Sequence, residues 1–213
     1  MKSISFTNPH RKKHFDFFNA MDHPHFNLTA NVNITALHAY AKKNDLALTP
    51  CIVYLIARAA NEIPEFRWRI HGKQVNEHES VRPSFTVPTA EADVFSFCTV
   101  AYQPHAPTFI QNARDKIKEM NDSPSMEDDD GKDDYLFLSA IPWISFTGLQ
   151  HAMHYNPADS IPRITWGKFF EQDWKLMMPL NVQAHHALVD GRHIGAYFDL
   201  LGEMAAKPAD YFT

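Results

Sequence analysis

Apolar residues recur at helical spacing in four stretches of the chain. The longest, CIVYLIARAANEI, follows Thr49 and Pro50 and is apolar on most sides, so it predicts a buried helix that ends near Pro64. Thr49 is the expected N-cap, because its hydroxyl can accept from the first-turn amides, and proline suits the first helical position. Further helices are predicted over residues 35–43, over residues 108–120 and from about Arg192. The apolar faces of the last two consist of Phe109, Ile110, Ala113, Ile117 and of Ile194, Phe198, Leu201, Met204.

The runs between these helices alternate in polarity or are rich in Phe, Val and Thr, which is typical of β-strands. The predicted strands read FNLTANVNI, FRWRI, PSFTVP, VFSFCTVAY, YLFLSA, ISFT, PRITWGKFF and LMMPLNVQAHH. Strands and helices are interspersed without a strict βαβ rhythm, so a purely parallel doubly wound sheet is not expected. The sequence therefore predicts an α/β fold, a two-layer α/β sandwich in which helices cover a mixed β-sheet.

Length and composition narrow the class of protein. A chain of 213 residues with 45% hydrophobic residues can form a sizeable core, and we expect a single domain over residues 1–213. The net charge of -5 leaves no basic footprint for nucleic acid. No apolar run approaches the ~20 residues of a membrane span. Because the basic N-terminus also lacks the apolar stretch of a signal peptide, the expected compartment is the cytoplasm.

Two conspicuous features are interpreted as structural. Cys51 and Cys98 lie in apolar surroundings, which predicts buried thiols rather than a disulfide. The acidic run SPSMEDDDGKDD, residues 123–134, predicts a solvated loop. A calcium loop counted from Asp128 would have its glycine too early and no closing glutamate, so that interpretation is rejected.

The stretch with the clearest chemistry is AHHALVDGRHIGAYFD, residues 184–199. His185 and His186 end a long apolar strand, Asp190 follows four residues later, and a helix comes next. Polar side chains where a buried strand breaks into a turn are candidates for function, because the scaffold fixes their direction while the turn gives access. Histidine titrates near neutral pH, so it can take a proton from an alcohol and return one to a leaving group.

Two other interpretations of these residues stay open at this point. A histidine at a strand end is most often a structural polar residue. His185, His186, Asp190 and His193 are also metal-ligand types. Adjacent strand residues point to opposite faces, so His185 and His186 would share one ion only across a bulge. Spacing alone favours the structural interpretation over general-base catalysis, and general-base catalysis over a metal site.

The pattern HH-A-x-x-DG-x-H before an amphipathic helix resembles the signature of the chloramphenicol acetyltransferase family, and its looser H-x-x-x-D-G form resembles the acyltransferase domains of 2-oxoacid dehydrogenase complexes. Other segments resemble the first family in the same order along the chain. They are NPHRKKHFDFF, FNLTANVNITAL, residues 50–61, LSAIPWISF and LMMPLNVQ. Only residues 103–134 match weakly, so the resemblance covers nearly the whole chain.

The resemblance implies roles for five catalytic-site residues. His186, the second histidine of the pair, would be the general base. Ser139 would donate its hydroxyl to the oxyanion of the tetrahedral intermediate, and Thr165 would hold an ordered water near that intermediate. Asp190 would form a buried ion pair with Arg11 that fixes the architecture around the base. Removal of one partner of such a pair typically costs ~3–5 kcal/mol.

The resemblance also implies binding residues. Trp143 and Lys168 stand where the family meets the CoA arm. The acceptor pocket would contain Phe18, Phe26, Phe95, Leu149 and His151.

Four positions depart from the family's pattern. The family commonly has tyrosine at Phe18, and often has tyrosine at Thr49, where it contacts CoA. Leu149 and His151 stand where apolar and often aromatic residues line the antibiotic's ring. The chemistry is therefore better supported by the sequence than the acceptor is.

The expected activity is acetyl-CoA-dependent O-acetylation of chloramphenicol without a metal, in a homotrimer whose active sites lie between subunits. One alternative is a related acyltransferase with another small hydroxylated acceptor. A second is a homologue that binds without turnover, although it would have no need of an oxyanion donor opposite a base. A 2-oxoacid dehydrogenase core is disfavoured, because the chain has no lipoyl domain and no Ala/Pro linker.

Overall fold

A computed structural model describes residues 1–127, 129, 131–155 and 157–212. Asp128, from which a calcium loop would be counted, lies outside the described residues. The described part of the acidic segment forms neither helix nor strand, as predicted. Arg82 ties it to the sheet, because its guanidinium donates to Asp129 at 2.6 Å and to both carboxylate oxygens of Asp134 at 2.9 and 3.0 Å.

In the part of the chain that the structure describes, ten strands form two sheets, and the larger sheet is mixed, as the sequence predicts. The strands are β1 (Lys2–Ile4), β2 (His25–Asn33), β3 (Trp68–His71), β4 (Gln74–Glu77), β5 (Arg82–Pro88), β6 (Phe95–Thr99), β7 (Tyr135–Ile141), β8 (Arg163–Gly167), β9 (Phe170–Gln172) and β10 (Lys175–His185). The larger sheet has the order β2-β10-β8-β7-β5-β6, with β9 beside β10. Strands β5, β7 and β8 run parallel, and the other neighbours run antiparallel. The small antiparallel sheet has the order β1-β4-β3.

Five α-helices accompany the sheets within the described ranges. They are α1 (Pro9–Asn19), α2 (Thr35–Lys43), α3 (Leu48–Glu62), α4 (Ala106–Asp122) and α5 (Gly191–Ala206). The predicted buried helix is α3, which packs against α2, α4 and α5 and is buried along most of its length. Cys51 and Cys98 are buried free thiols, as predicted. Among the described residues, no helix combines the length and the apolar character that a membrane span needs.

The structure corrects three of the local predictions. Helix α3 begins at Leu48 with Ala47 as its N-cap, so Thr49 lies in the first turn and does not cap it. The ISFT segment is a loop, because the chain turns after Ile141 and leaves the sheet. The opening segment is helix α1, which was not predicted because its single buried residue, Phe15, leaves little apolar periodicity.

The two faces of β10 have different neighbours. Met178 packs with Leu37, Ile52 and Leu201 of the helices. Side chains alternate along a strand, so Leu180, Val182 and Ala184 share that face, while Asn181, Gln183 and His185 lie on the other.

The strand register extends this second, polar face across the sheet. Asn181 pairs with Thr165, and Thr165 pairs with Ser139. Directly paired residues share a face. Ser139 and Thr165 are therefore neighbours on the face that the helices leave uncovered.

A pair of histidines, the buried His185 and the half-buried His25, lies at the end of β10. His185 and His25 are cross-strand partners with ring centroids 5.0 Å apart. Burial is the main cause that lowers the pKa of His25 to about 4 and the pKa of His185 to about 3. Both imidazoles are therefore neutral in the folded protein at neutral pH.

Acidification is expected to destabilise the fold through this pair. Between pH 6.5, the ordinary histidine value, and pH 4, the unfolded chain binds protons that the folded chain refuses, so the free energy of unfolding falls as the pH falls. Urea unfolding at several pH values measures this dependence. His185→Asn should flatten it, whereas His38→Asn, on the exposed side of α2, should leave it unchanged. If His185→Asn showed the same pH dependence as the wild-type protein, His185 would not be a source of the acid sensitivity.

Candidate active site

The turn after β10 is held rigidly in place. The amides of Leu188 and Val189 both donate to the carbonyl of His185 at 3.0 Å. The amide of His186 donates to the carbonyl of Pro24 at 2.8 Å, which fastens the turn to the segment before β2. Helix α5 begins directly after this turn, so His186 is fixed between a strand and a helix.

The side chain of His186 has a defined orientation. Its Nδ1 lies 3.1 Å from the carbonyl oxygen of Val189. A carbonyl only accepts, so Nδ1 carries the proton of the neutral ring and Nε2 keeps a free lone pair. The ring stacks on Phe18 at 3.9 Å between centroids and lies 4.3 Å from Phe26. Within the described part of the chain, Nε2 has no hydrogen-bond partner, so this nitrogen is available to accept a proton.

The expected buried ion pair between Arg11 and Asp190 is not formed. The Arg11 guanidinium instead donates to the carbonyls of Ala187 and Leu188, each at 2.8 Å. Asp190 is the N-cap of α5, where its Oδ1 accepts from the amide of Arg192 at 3.3 Å. Its side chain is 49% exposed, so the carboxylate is not buried either. The turn places carbonyls, rather than the carboxylate, in front of the guanidinium.

Ser139 lines a groove on the polar face of the sheet, and Thr165 lies behind His151, another lining residue. This groove encloses about 360 Å³ and includes Ser139 and His151 among its lining residues. The Ser139 hydroxyl lies 3.3 Å from that of Thr86. Thr165 is fully buried, and its hydroxyl lies 3.1 Å from Nε2 of His151. The hydroxyl expected to hold a water therefore already has a protein partner.

The groove is lined by both apolar and polar side chains. Its apolar lining consists of Phe95, Phe97, Phe137 and Leu138 together with Ala152. Its polar lining includes His151 and Arg163, and the Arg163 guanidinium lies 5.5 Å from the centroid of Phe137. Burial lowers the pKa of His151 to about 4, with Arg163 as a second cause, so this imidazole is neutral at neutral pH.

A second groove of about 680 Å³ adjoins the first. The two grooves share Thr86, Phe95 and Ser139. The second groove is bordered by Trp143, whose side chain is 80% exposed and therefore available to a ligand. Lys168 is exposed beyond the end of β8, and its amide donates to the carbonyl of Ile144 at 2.8 Å. Of the residues predicted for the acceptor pocket, Leu149, Phe18 and Phe26 line neither of these two grooves.

The predicted site residues thus form two separate clusters. The base cluster contains His186 with Phe18, Phe26, Arg11 and Asp190. The groove cluster contains the other predicted residues that meet at the two grooves, namely Ser139, Thr165, His151, Phe95 and Trp143. No described contact joins His186 to Ser139 within one chain.

The residues that could hold a metal ion differ from the four that the sequence suggested. His185 packs on His25, and the Nδ1 of His193 accepts from the amide of Asp190, so these two histidines do not join His186. One atom each of His14, His186 and Asp190 do lie within 4.8 Å of one another.

The hydrogen bond between Arg11 and His14 opposes a cation at this set. Arg11 lies 3.2 Å from Nδ1 of His14 and must be the donor, because guanidinium has no acceptor. The proton of neutral His14 is therefore on Nε2, the nitrogen that would have to bind the metal. The guanidinium would also repel a cation.

Sequence reasoning missed His14, Thr86, Phe97 and Phe137. His14 follows Arg11 at helical spacing, so assignment of α1 as a helix would have placed both side chains on one face. The groove residues have no such signal, because they come from three strands whose pairing the sequence does not reveal.

Comparison with known proteins agrees with this architecture. The family model described as chloramphenicol acetyltransferase matches residues 1–202. Chloramphenicol acetyltransferases of Clostridium perfringens and Bacillus pumilus are 32% and 31% identical, over 92% and 90% of this chain and 91% and 87% of their own lengths.

Solved structures extend the agreement to the fold. One chloramphenicol acetyltransferase matches with a TM-score of 0.84 and 26% identity, covering 95% of this chain and 98% of its own. The cubic core of a pyruvate dehydrogenase multienzyme complex shares the fold alone, with a TM-score of 0.69 and 17% identity, over 99% of this chain and 94% of its own. The whole-chain family match and these identities show that the chain is an acetyltransferase and belongs to the chloramphenicol acetyltransferase family.

Proposed function

We propose that this protein transfers the acetyl group of acetyl-CoA to a hydroxyl of chloramphenicol and so inactivates the antibiotic. The observation that carries the proposal is the geometry of His186, whose Nδ1 is committed to the carbonyl of Val189 while Nε2 is free. The named activity of the relatives at about a third identity supports the choice of acceptor. The cytoplasmic location stays a prediction.

The reaction follows from the proton affinity of a neutral imidazole. Nε2 of His186 takes the proton of the acceptor hydroxyl while its oxygen attacks the thioester carbonyl carbon. A tetrahedral intermediate forms, and its oxyanion accepts a hydrogen bond from the hydroxyl of Ser139. The C–S bond then breaks, and the imidazolium returns the proton to the thiolate of CoA. No acyl-enzyme forms, because the acceptor attacks directly.

The remaining predicted residues support this reaction by binding and positioning. Trp143 and Lys168 would contact the CoA arm, the first through its exposed indole and the second as a cation for phosphate. Thr165 would act near the intermediate together with His151. Phe18 and Phe26 hold the imidazole plane through their rings. Arg11 fixes the turn that carries the base.

We place the complete active site between protomers of a homotrimer. His186 and Ser139 belong to clusters that no described contact joins within one chain, yet the reaction needs a base and an oxyanion donor around one carbonyl carbon. A head-to-tail interface around a three-fold axis brings unlike surfaces of neighbours together three times. His186 of one protomer would then face Ser139 of the next.

Release of CoA thiol tests the reaction and the acceptor together. Wild-type protein with acetyl-CoA should release thiol only when chloramphenicol is present. His186→Ala should lower kcat by about 10²–10⁴-fold, the usual contribution of a general base. His38→Ala, on the exposed side of α2, is the matched histidine control and should retain activity. A folded wild-type protein that releases no thiol would overturn the chloramphenicol assignment.

Subunit mixing tests the shared site. His186→Ala and Ser139→Ala proteins are each expected to be nearly inactive. After joint unfolding and refolding, about a quarter of the interfaces in random trimers would pair an intact His186 with an intact Ser139 from the neighbour. Activity should recover toward that fraction of the wild-type value. Recovery no greater than the sum of the two separate variants, in refolded mixed trimers, would mean that each site lies within one chain.

A different small hydroxylated acceptor is the second candidate, because polar side chains also line the groove. A nitrophenyl ring packs best against apolar walls such as Phe95, Phe97 and Phe137. His151 instead presents an imidazole there, with Nε2 on Thr165 and no partner for Nδ1 among the described residues. That nitrogen suits an acceptor with a polar group at this point.

His151→Leu separates the two acceptor classes. If the groove takes chloramphenicol, leucine should lower the KM for chloramphenicol by about threefold to tenfold, because it removes a polar ring that the antibiotic has to desolvate. The KM for acetyl-CoA should stay constant. Leu149→Ala is the control, since Leu149 lines neither groove and should leave both KM values unchanged. A higher KM for chloramphenicol in His151→Leu would indicate that His151 hydrogen-bonds the acceptor.

A further inference from the structure

Helix α1 presents one face to the turn that carries His186. Arg11, His14 and Phe18 occur at intervals of three and four residues, so their side chains share that face. Arg11 reaches the carbonyls of the turn, and Phe18 stacks on His186. His14 lies between them, with its ring 4.8 Å from Phe18 and 5.4 Å from His186 between centroids. The proposed mechanism gives His14 no task.

The Arg11 guanidinium determines where the proton of His14 lies. It lies 3.2 Å from Nδ1 of His14, and an arginine side chain can only donate. Nδ1 is therefore the acceptor, and the proton of the neutral ring is on Nε2. Burial, followed by the charge of Arg11, lowers the pKa of His14, so the ring is neutral at neutral pH.

The Nε2–H of His14 is directed toward Asp190. It lies 3.6 Å from Oδ2 of Asp190, and the nitrogen is buried with no closer partner among the described residues. The other oxygen of Asp190 caps α5 through the amide of Arg192. Oδ1 is thus held by the helix, while Oδ2 faces Nε2 of His14 across a distance longer than a hydrogen bond. A ring nitrogen of His186 lies within 4.8 Å of both partners.

We propose that His14 is a positioning residue whose Nε2–H keeps the carboxylate of Asp190 beside His186, where its negative charge stabilises the imidazolium formed during acetyl transfer. The inference rests on the proposed function, because it assigns His14 a part in the same proton transfer. His14 acts through Asp190 and touches neither the acceptor nor acetyl-CoA. Asp190 takes part as a nearby charge and does not accept the proton itself.

The charge balance around His186 explains why the position of one carboxylate matters. Arg11 and His14 face the imidazole from α1, His185 precedes it on β10, and Asp190 and His193 lie at the start of α5. Glu65 lies beside His193 and close to Arg11. Arg11 brings a positive charge to this cluster, and Asp190 has a carboxylate oxygen within 4.8 Å of a His186 ring nitrogen. Displacement of Asp190 toward solvent would remove that negative charge from beside His186, while Glu65 would stay close to Arg11.

Three variants separate positioning from packing. His14→Phe keeps an aromatic ring against Phe18 and His186 but loses the donor. His14→Gln keeps an N–H near the place of Nε2 and should restore the wild-type behaviour. Asp190→Asn keeps a good N-cap for α5 but removes the charge.

Histidine NMR of the free protein is the decisive measurement. The His186 resonances, assigned by their loss in His186→Asn, are followed against pH without acceptor or acetyl-CoA. The titration midpoint of His186 should move to lower pH by about half a pH unit in His14→Phe and in Asp190→Asn. It should return in His14→Gln. In Asp190→Asn protein, adding His14→Phe should cause no further shift, because the two residues act as one unit.

This NMR measurement needs neither acceptor nor acetyl-CoA, so it separates failure of the inference from failure of the proposed function. An unshifted His186 titration in folded His14→Phe protein overturns the role of His14 even if chloramphenicol is acetylated. A shift in His14→Phe that persists in full in the Asp190→Asn background overturns the route through Asp190. With an accepted substrate, kcat/KM should fall about threefold to tenfold in His14→Phe, with its acid limb moved in the same direction as the NMR midpoint.

Discussion

The guanidinium of Arg11 joins the first helix to the turn that carries His186. It donates to two consecutive turn carbonyls at 2.8 Å and to His14 at 3.2 Å, and it stacks over Phe6 at 4.5 Å. Without it the carbonyls would lose charged donors in a partly buried place. This interaction fixes the orientation of the base and the tautomer of its neighbour, so the base cluster depends on a contact between residues about 176 positions apart.

The larger sheet places the two groups of site residues at different places, one on its face and one past the end of a strand. Its register lines up Ser139 and Thr165 on the uncovered face, whereas His186 lies past the end of β10 among the aromatic rings of α1 and β2. In the homotrimer that we propose, association would bring these two clusters together.

The groove beside Ser139 is lined by both aromatic and polar side chains. Phenylalanines from β6 and β7 offer an aromatic wall, while a neutral, buried His151 supplies hydrogen-bonding capacity next to it. A hydroxylated aromatic compound fits such a surface better than a purely apolar one, because an unmatched polar group inside a groove weakens binding. This chain differs from the pattern of its family at His151 in the groove and at Phe18 beside the base.

The sequence by itself determined the mixed α/β class, the buried α3, the strand leading to His186 and the family, because these depend on periodicity and on motifs of adjacent residues. Even there, Thr49 was misplaced as a cap and ISFT as a strand, since packing decides where an element ends. Only the tertiary structure decided that Arg11 donates to the carbonyls of Ala187 and Leu188 instead of pairing with Asp190. It also decided that His14 lies beside His186 and that Leu149 lines neither groove. These contacts join α1, the turn after β10 and separate strands, which are far apart in the sequence. Which atoms come within hydrogen-bond distance there is decided by folding, not by spacing along the chain.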